Sequence, residues 1–353
     1  MEQSRSRFLQ LAGGAAAGLA TAGRASGATS KPKAKVESDA DVSALYAAAK
    51  KEGTVVWWTA HYAQSAADRM RDAFKAKYPG IEVQLLRQTA QVIYQRLNQD
   101  LKSNVHEVDV FCSTDEAHHA ELKKQGVLAE FVPADINKVP PLLRHLDPDN
   151  TYQIGAIGFV LLNYNTKIQP PHRWPQLGDP RLRGQVTLGH PAFSGYVGNW
   201  VIAMNDKYGW EYFKNLAQNN PKIGRSVNDT VADIVSGERM AGAGPDNFSL
   251  EKKAGGNPID IIYPDDDAII ITGPASVMKD APHPNAARLF QNFMYSREYS
   301  ESLVKTFNYP IRTDVPSANG RTLSSIRWTR NTVARLTSGI PEVVAKWRET
   351  FGV

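Results

Sequence analysis

The stretch WWTAHYAQS at residues 57–65 joins a strand to a helix within a few positions. The apolar and aromatic residues of TVVWW (54–58) are typical of a buried strand, and helical spacing of apolar residues follows. Between the two elements lie Thr59, Ala60 and His61. In open parallel sheets, ligands collect at the carboxyl ends of the strands, beside helix N-termini. The sequence therefore predicts that these three residues border a ligand site, although each one alone could be only a helix cap.

The change from strand to helix through small or polar residues recurs along the chain. IEVQLL (81–86) leads to Thr89, which can cap the next helix, and VDVFCS (108–113) leads to a helix that starts near Thr114. Alternation of this kind predicts a layered α/β protein with largely parallel sheets. Ser113 and Thr114 join the predicted ligand site because they follow the third strand.

A second group of strands and helices fills the middle of the chain. YQIGAIGFVLLNYNTK (152–167) reads as one long extended segment, and AFSGYVG (192–198) connects a later strand to a helix. Ser194-Gly195-Tyr196 is the best single candidate for ligand contact there, because glycine at a helix start lets a ligand approach the backbone. An ordinary serine cap is the alternative.

Two further loops complete the predicted ligand set. KIGRSVNDTVADIVSGE (222–238) places Asn228 or Asp229 at a helix start, and MAGAGPDNFS (240–249) reads as a short strand that ends in a polar loop. From these loops we take Asn228, Asp246 and Asn247 as candidates.

Aromatic residues and an acidic turn near these loops are open to two readings. Phe193, Tyr196 and Phe248 could form an apolar wall for the solute, although aromatic residues near loops are more often core. The acidic turn from Pro264 to Asp267 could be a charged ligand site, but the favoured reading is a solvated turn.

Composition excludes several classes of protein. The 353 residues suit two domains, and 42% hydrophobic with 22% charged residues is ordinary for a soluble chain. The formal net charge is +5; residues 1–28 hold three arginines and one glutamate, so the remainder carries about +3, with no basic run. We therefore expect no nucleic-acid partner. The single cysteine, Cys112, lies in a strand and is predicted to be a buried, inert thiol.

The N-terminus is typical of an export signal. Arg5 and Arg7 precede an Ala/Gly/Leu-rich stretch, and small residues suit a signal-peptidase cut before Thr29. We predict a signal peptide at 1–28, a linker at 29–40 and a periplasmic location; a disordered tail is the alternative. The segment resembles a twin-arginine box with a serine in place of the second arginine, which leaves the twin-arginine and general secretion routes open.

The order of the segments resembles the periplasmic substrate-binding proteins of ABC importers, a group that includes ferric-ion and phosphonate binders. The segments that carry the resemblance are LYAAAKKEGTVVWWTAH, VDVFCSTDEAHHAELKKQGVL, IGFVLLNYNTK, WPQLGDPRLRGQV, RSVNDTVADIVSGE and DAPHPNAARLFQNFMYSREYSESL. The resemblance implies an α/β fold of two lobes, each with a mostly parallel sheet flanked by helices and a hinge between them. Lobe one would comprise 41–151 and 264–322, and lobe two 152–263 and 323–353.

The resemblance also implies a mechanism. A solute that touches both lobes favours the closed form and shifts the hinge equilibrium toward it. The closed protein would then deliver the unchanged solute to a permease in the inner membrane. We expect a monomer that is not an enzyme and needs no cofactor.

The class of solute is predicted from the metal-binding residues of the family that this sequence lacks. In iron-binding members a histidine, a carboxylate and two adjacent tyrosines hold the metal. His61 matches the histidine, but Ser113 and Thr114 replace the carboxylate, and Asp246, Asn247 and Phe248 replace the tyrosines. His61 is then a hydrogen-bonding residue or a packed loop histidine.

We therefore predict no bound metal and an anionic organic solute, held by hydroxyls, amides and helix N-termini. A ferric-ion-binding protein and an exported enzyme are the alternatives. The sequence has neither a G-x-S-x-G elbow nor a phosphate-binding loop, and this argues against an enzyme.

Overall fold

The predicted strand at TVVWW is one member of a ten-stranded sheet in the computed structural model, which describes residues 36–353. The elements are α1 Asp39–Glu52, β1 Thr54–Thr59, α2 Gln64–Lys77, β2 Glu82–Arg87, α3 Ala90–Lys102, β3 Val110–Cys112, α4 Glu116–Lys124, β4 Gln153–Asn165, β5 Val186–Leu188, α5 Gly195–Tyr208, α6 Glu211–Ala217, β6 Lys222–Ile223, α7 Val227–Ser236, β7 Ala241–Pro245, α8 Asp246–Ala254, β8 Ile259–Ile262, β9 Ala268–Val277, α9 Pro284–Phe293, α10 Arg297–Lys305, β10 Trp328–Thr329 and α11 Val333–Phe351.

The strands follow the order β2-β1-β3-β9-β4-β7-β5-β6, with β10 beside β9 and β8 beside β4. The outer pairs are parallel, as predicted. The central strands β4 and β9 run antiparallel to each other, and most of their other neighbours are antiparallel as well. The reason is that β4 carries the chain from one half of the sheet to the other and β9 carries it back.

Two main hydrophobic cores pack on this sheet and meet along β4 and β9. Phe159 and Leu161 of β4 belong to the first core, whereas Val160 and Leu162 belong to the second. This alternation follows from the two-residue period of a strand. The first core also holds side chains of β1, α2 and α9, and the second holds those of α5, α6 and α11. The predicted lobe boundaries themselves stay a prediction.

Local signals explain where the first helices begin and end. The Ser38 side chain accepts a hydrogen bond from the Asp41 backbone N–H and completes a capping box with the Asp41 side chain. Gly53 ends α1 in the left-handed region, at φ 72°, which glycine adopts without strain. The Asp115 side chain caps α4 by accepting from the Ala117 N–H, so the predicted helix start there is confirmed.

The predicted helix start near Asn228 is confirmed, since α7 begins at Val227; its capping residue is Ser226, whose hydroxyl accepts from the Asn228 N–H. Two other local predictions in the second half of the chain are wrong. Asp246 belongs to a helix and not to a polar loop, since α8 follows β7 directly. The acidic turn is not solvated at Asp266, which is buried and accepts hydrogen bonds from the Trp174 N–H and the Tyr208 hydroxyl.

The predicted thiol environment is confirmed. Cys112 is fully buried, and the Trp57 indole N–H lies 3.3 Å from its sulfur. Burial raises the pKa of Cys112 to about 12, so the reactive thiolate is absent at neutral pH.

The predicted signal peptide lies outside the described residues. The end of the predicted linker is already folded, because Val36 forms a parallel bridge with Val132 and α1 begins at Asp39. From residue 36 onward, no helix combines the length and the apolar character that crossing a membrane requires.

Candidate functional site

A small cavity of about 30 Å³ lies where the carboxyl ends of β1 and β2 face the first turns of α5 and α7. A cavity this small shows that the two halves of the protein are close together here. The lining residues come from both halves of the protein: Ala60, His61, Tyr62, Ala63, Arg87, Thr89, Ala90, Thr114, Ser194, Tyr196, Ser226, Val227, Asn228, Pro245 and Asn247.

Seven of the twelve residues predicted to bind the solute line this cavity: Ala60, His61, Thr114, Ser194, Tyr196, Asn228 and Asn247. The other five, Thr59, Ser113, Phe193, Gly195 and Asp246, lie beside it without lining it. Contact of any of them with a solute stays a prediction. A larger groove of about 880 Å³, between 140–143 and 309–328, contains none of the predicted residues.

Five helices point their N-termini at the cavity. Their N-cap residues, Ala63, Thr89, Ser194, Ser226 and Pro245, are all lining residues. Ser226 makes a side-chain capping bond in α7, and in α8 the Asn247 side chain accepts a hydrogen bond from the Phe248 N–H at 2.7 Å. The other three helices, α2, α3 and α5, have no side-chain capping bond, so backbone N–H groups of their first turns remain available as donors. Each N-terminus also carries roughly half a positive charge. The surroundings of the cavity therefore favour an anion.

Arg87 adds a full positive charge to the cavity. It is the last residue of β2, and its Nε donates to the Tyr62 carbonyl oxygen at 2.7 Å. Among the described residues no carboxylate forms an ion pair with it, and the lining contains no aspartate or glutamate. Burial lowers the pKa of the guanidinium, which still stays charged at neutral pH. Arg87 is not among the residues predicted from the sequence, although it ends β2 and ligands collect at the carboxyl ends of parallel strands.

His61 is buried, and the hydrogen bonds of its ring are made by one nitrogen, Nε2. Its Nε2 lies 3.1 Å from the Ser113 carbonyl oxygen and 3.0 Å from the Pro274 carbonyl oxygen. Two carbonyl acceptors require that Nε2 carries the proton and donates. Burial lowers the pKa of His61 to about 4, so the ring is neutral at pH 7. The ring packs against backbone, since a Cβ on Gly273 would lie 2.8 Å from Nε2 and one on Gly155 would lie 3.1 Å from Cε1.

Tyr196 enters the cavity from the other half of the protein. Its hydroxyl occupies the space that a side chain at position 158 would fill, because a Cβ on Gly158 would overlap the hydroxyl oxygen. Behind it, Asp246 accepts a hydrogen bond from the Phe159 N–H at 3.1 Å. Burial raises the pKa of Asp246 to about 7, which suppresses its negative charge near the site.

The remaining predicted residues have local roles. The Thr59 hydroxyl accepts a hydrogen bond from the His61 N–H at 3.1 Å. The Ser113 hydroxyl lies 2.9 Å from Nδ1 of His118 and accepts from the Asp115 N–H. Phe193 stacks beneath the Arg225 guanidinium, 4.8 Å from ring centroid to guanidinium carbon.

A bulge in β4 lies next to the cavity. The register of β4 against β9 shifts between Ile154 and Ala156, which leaves Gly155 out of the ladder. The Tyr62 and Tyr299 hydroxyl oxygens lie 3.0 and 3.2 Å from the Gly155 carbonyl oxygen and 2.6 Å from each other, so the three oxygens form one hydrogen-bonded group. Because Tyr62 also lines the cavity, this hydroxyl connects the site to one of the two strands that join the halves.

Candidate metal ligands are sparse in this part of the protein. Within residues 36–353, no group of three or more His, Cys, Asp and Glu side chains is arranged to hold a metal ion. Two phenols, Tyr62 and Tyr196, line the cavity together with His61. Burial raises the pKa of both phenols, which disfavours the phenolate form that iron would bind.

Curated sequences related to this chain include binding proteins. The spermidine/putrescine-binding periplasmic protein of Escherichia coli (strain K12) is 22% identical over 209 residues, which cover 54% of this chain and 59% of that protein. The chain spans about three fifths of the length of the curated relatives it matches.

Solved structures match over most of the chain. The periplasmic binding protein AfuA from Actinobacillus pleuropneumoniae, with fructose-6-phosphate bound, has a TM-score of 0.77 at 19% identity, covering 86% of this chain and 99% of that one. Iron-bound HitA from Pseudomonas aeruginosa has a TM-score of 0.71 at 19% identity, covering 84% and 99%. These likenesses confirm the two-lobed α/β fold. Residues 107–329 match the family described as bacterial extracellular solute-binding protein, and the chain belongs to that family.

Proposed function

We propose that this protein captures an anionic organic solute between its two lobes and delivers it, unchanged, to the permease of an ABC importer. The observation that carries the proposal is the convergence of five helix N-termini and Arg87 on one cavity. Family membership supports the binding role, since it is a family of solute-binding proteins.

The charges around the cavity distinguish between classes of solute. Backbone N–H donors and a guanidinium match the oxygens of a carboxylate, phosphonate or phosphate. A polyamine, which the Escherichia coli relative binds according to its name, needs carboxylates, and the lining residues supply none. The phosphate of fructose-6-phosphate, bound by AfuA, is an anion of the kind that we propose.

Closure would follow from contacts with both halves. Arg87 and Thr89 lie on the side of β1 and β2, whereas Ser194, Tyr196 and Asn228 lie on the side of α5 and α7. A solute that bonds to both groups binds the closed form better than the open one, and this difference in affinity shifts the equilibrium. We propose that the protein acts in this way in the periplasm, as a monomer and without chemistry on the solute.

The test is a thermal-shift screen of the purified protein with carboxylates, phosphonates and phosphate esters, followed by calorimetry of each hit. A ligand at 100 times its dissociation constant adds about 2.7 kcal/mol to the free energy of unfolding. Arg87→Ala should weaken binding of every anionic hit at least tenfold. The matched control is Arg96→Ala, whose guanidinium lies over the Trp58 ring and outside the cavity.

A shift produced by spermidine or neutral sugars but by no anion would overturn the anionic proposal. Equal affinity of the Arg87→Ala and wild-type proteins for the anions would show that Arg87 does not contribute to binding. The anionic proposal would then be supported by the helix N-termini alone.

Ferric ion is the second candidate because Tyr62, Tyr196 and His61 line the same cavity, and HitA is described as iron-bound. Phenolate-bound ferric iron absorbs visible light, so titration with ferric citrate separates the two candidates. We expect a colourless protein. A visible band that disappears in Tyr196→Phe would make iron the cargo.

A further inference from the structure

The ring of His61 can accept a hydrogen bond only at Nδ1. Nε2 donates to two carbonyl oxygens, at 3.1 and 3.0 Å, and a neutral imidazole has one donor and one acceptor. Among the described residues, Nδ1 has no hydrogen-bond partner, although His61 is 3% exposed. An unpaired buried acceptor costs free energy, and His61 lines the cavity, so a molecule bound there can supply the donor.

The surrounding backbone prevents the two ring nitrogens of His61 from exchanging their donor and acceptor roles. Gly155 and Gly273 flank the imidazole closely, since a Cβ would lie 2.8 Å from Nε2 if it were on Gly273 and 3.1 Å from Cε1 if it were on Gly155. A proton on Nδ1 in place of Nε2 would leave an Nε2 lone pair facing the carbonyl oxygens of Ser113 and Pro274. Protonation of both nitrogens is also disfavoured, since burial lowers the pKa of His61 to about 4. The tautomer is therefore fixed by the fold.

We infer that His61 determines specificity by accepting a hydrogen bond from the solute, so that the preferred solute carries a hydroxyl near its anionic group. The inference rests on the proposed function. Arg87 and the helix N-termini recognise the charge, and the acceptor at Nδ1 distinguishes a hydroxylated anion from the same anion without the hydroxyl. A solute that lacks this donor leaves Nδ1 unpaired in the closed form.

Two amide substitutions separate recognition from structure. His61→Asn can place an oxygen where Nδ1 lies and has nothing to reach the Ser113 and Pro274 carbonyl oxygens. His61→Gln can keep a donor where Nε2 lies and removes the acceptor at Nδ1. If His61 were purely structural, the protein would keep its stability and its ligand preference in His61→Gln and lose them in His61→Asn. If His61 recognises the solute, the ligand preference is lost in His61→Gln and kept in His61→Asn.

The experiment measures dissociation constants for matched pairs of probes, namely lactate against propionate, malate against succinate and glycerol 3-phosphate against propyl phosphate. For at least one pair, the wild-type protein should bind the hydroxylated member at least tenfold more tightly. His61→Gln should bring this ratio close to one, and His61→Asn should keep most of it even if its melting temperature falls. Nitrogen-15 NMR at pH 7 should show His61 protonated at Nε2 only.

Equal affinities within every pair, or a ratio that is unchanged in His61→Gln, would overturn the inference while leaving anion binding intact. A proton on Nδ1 in the NMR spectrum would overturn it as well. If no member of any pair binds, and the wider anion screen also fails, the proposed function itself fails and the inference fails with it.

Discussion

Gly195 lies directly against Thr114: a Cβ built on Gly195 would sit 2.7 Å from the Thr114 hydroxyl oxygen and 2.8 Å from its carbonyl oxygen. Gly195 starts α5, which packs in the second core, whereas Thr114 follows β3, which packs in the first. The glycine therefore lets the two halves of the protein approach closely beside the cavity. Its absent side chain matters for closure and not for the fold of either half.

We expect Gly195→Ala to weaken solute binding by tenfold or more without lowering the melting temperature of the free protein. Alanine is a better helix former than glycine by about 0.5–1 kcal/mol, so α5 itself tolerates the change. The added methyl group holds the halves apart, because the atoms it meets include backbone. Calorimetry with the anion that gives the largest thermal shift, and the radius of gyration from small-angle scattering, check this expectation.

Gly178→Ala is the matched control for this substitution, since a Cβ there meets nothing within 4 Å. Affinity unchanged in Gly195→Ala, with the same compaction on ligand addition, would show that the contact does not limit closure.

The raised pKa of Asp246 predicts a pH dependence of stability. Burial raises this pKa from 3.8 to about 7 in the folded protein. Between pH 4 and pH 7 the folded state thus holds a proton that the unfolded state has lost. The contribution of Asp246 to the free energy of unfolding falls as the pH rises through this window, by roughly 1.4 kcal/mol for each pH unit.

Asp246→Asn should therefore match the wild type near pH 4 and become more stable than it by pH 8, by about 1 kcal/mol or more. Asparagine can still accept the Phe159 N–H bond. The difference in unfolding free energy between the two proteins isolates Asp246. His61, whose pKa is lowered to about 4, contributes with the opposite sign, but its contribution is the same in both proteins and cancels. A difference that does not change with pH would contradict the prediction.

The hydroxyls of Tyr62 and Tyr299 should be energetically coupled. They lie 2.6 Å apart and both reach the Gly155 carbonyl oxygen at the bulge in β4. Each single change to phenylalanine should cost about 1 kcal/mol of unfolding free energy, and the double mutant should cost less than the sum. Urea denaturation of the four proteins measures the coupling energy; additive effects would show that the two hydroxyls act independently.

Cys112 should be inert in the folded protein. Its thiol is fully buried, and its pKa is raised to about 12. A thiol reagent at pH 8 should therefore label it only at the rate at which the protein opens, and fully in denaturant. Complete labelling within minutes under native conditions would indicate an exposed thiol.

Sequence alone was sufficient for features that depend on neighbours along the chain. The strand TVVWW, the helix ended by Gly53 and the buried thiol of Cys112 all follow from local pattern and propensity. Candidate residues at strand ends, such as His61 and Ser194, could be named because parallel strands bring their carboxyl ends to one edge.

Only the tertiary structure decided which of these residues meet. Arg87 lines the cavity together with residues of the other half of the protein, whereas Thr59 and Ser113 bond to their own loops. The tautomer of His61 depends on the Pro274 carbonyl oxygen, more than two hundred positions away along the chain. Contacts across such separations arise when strands and helices pack together, and no local pattern encodes them.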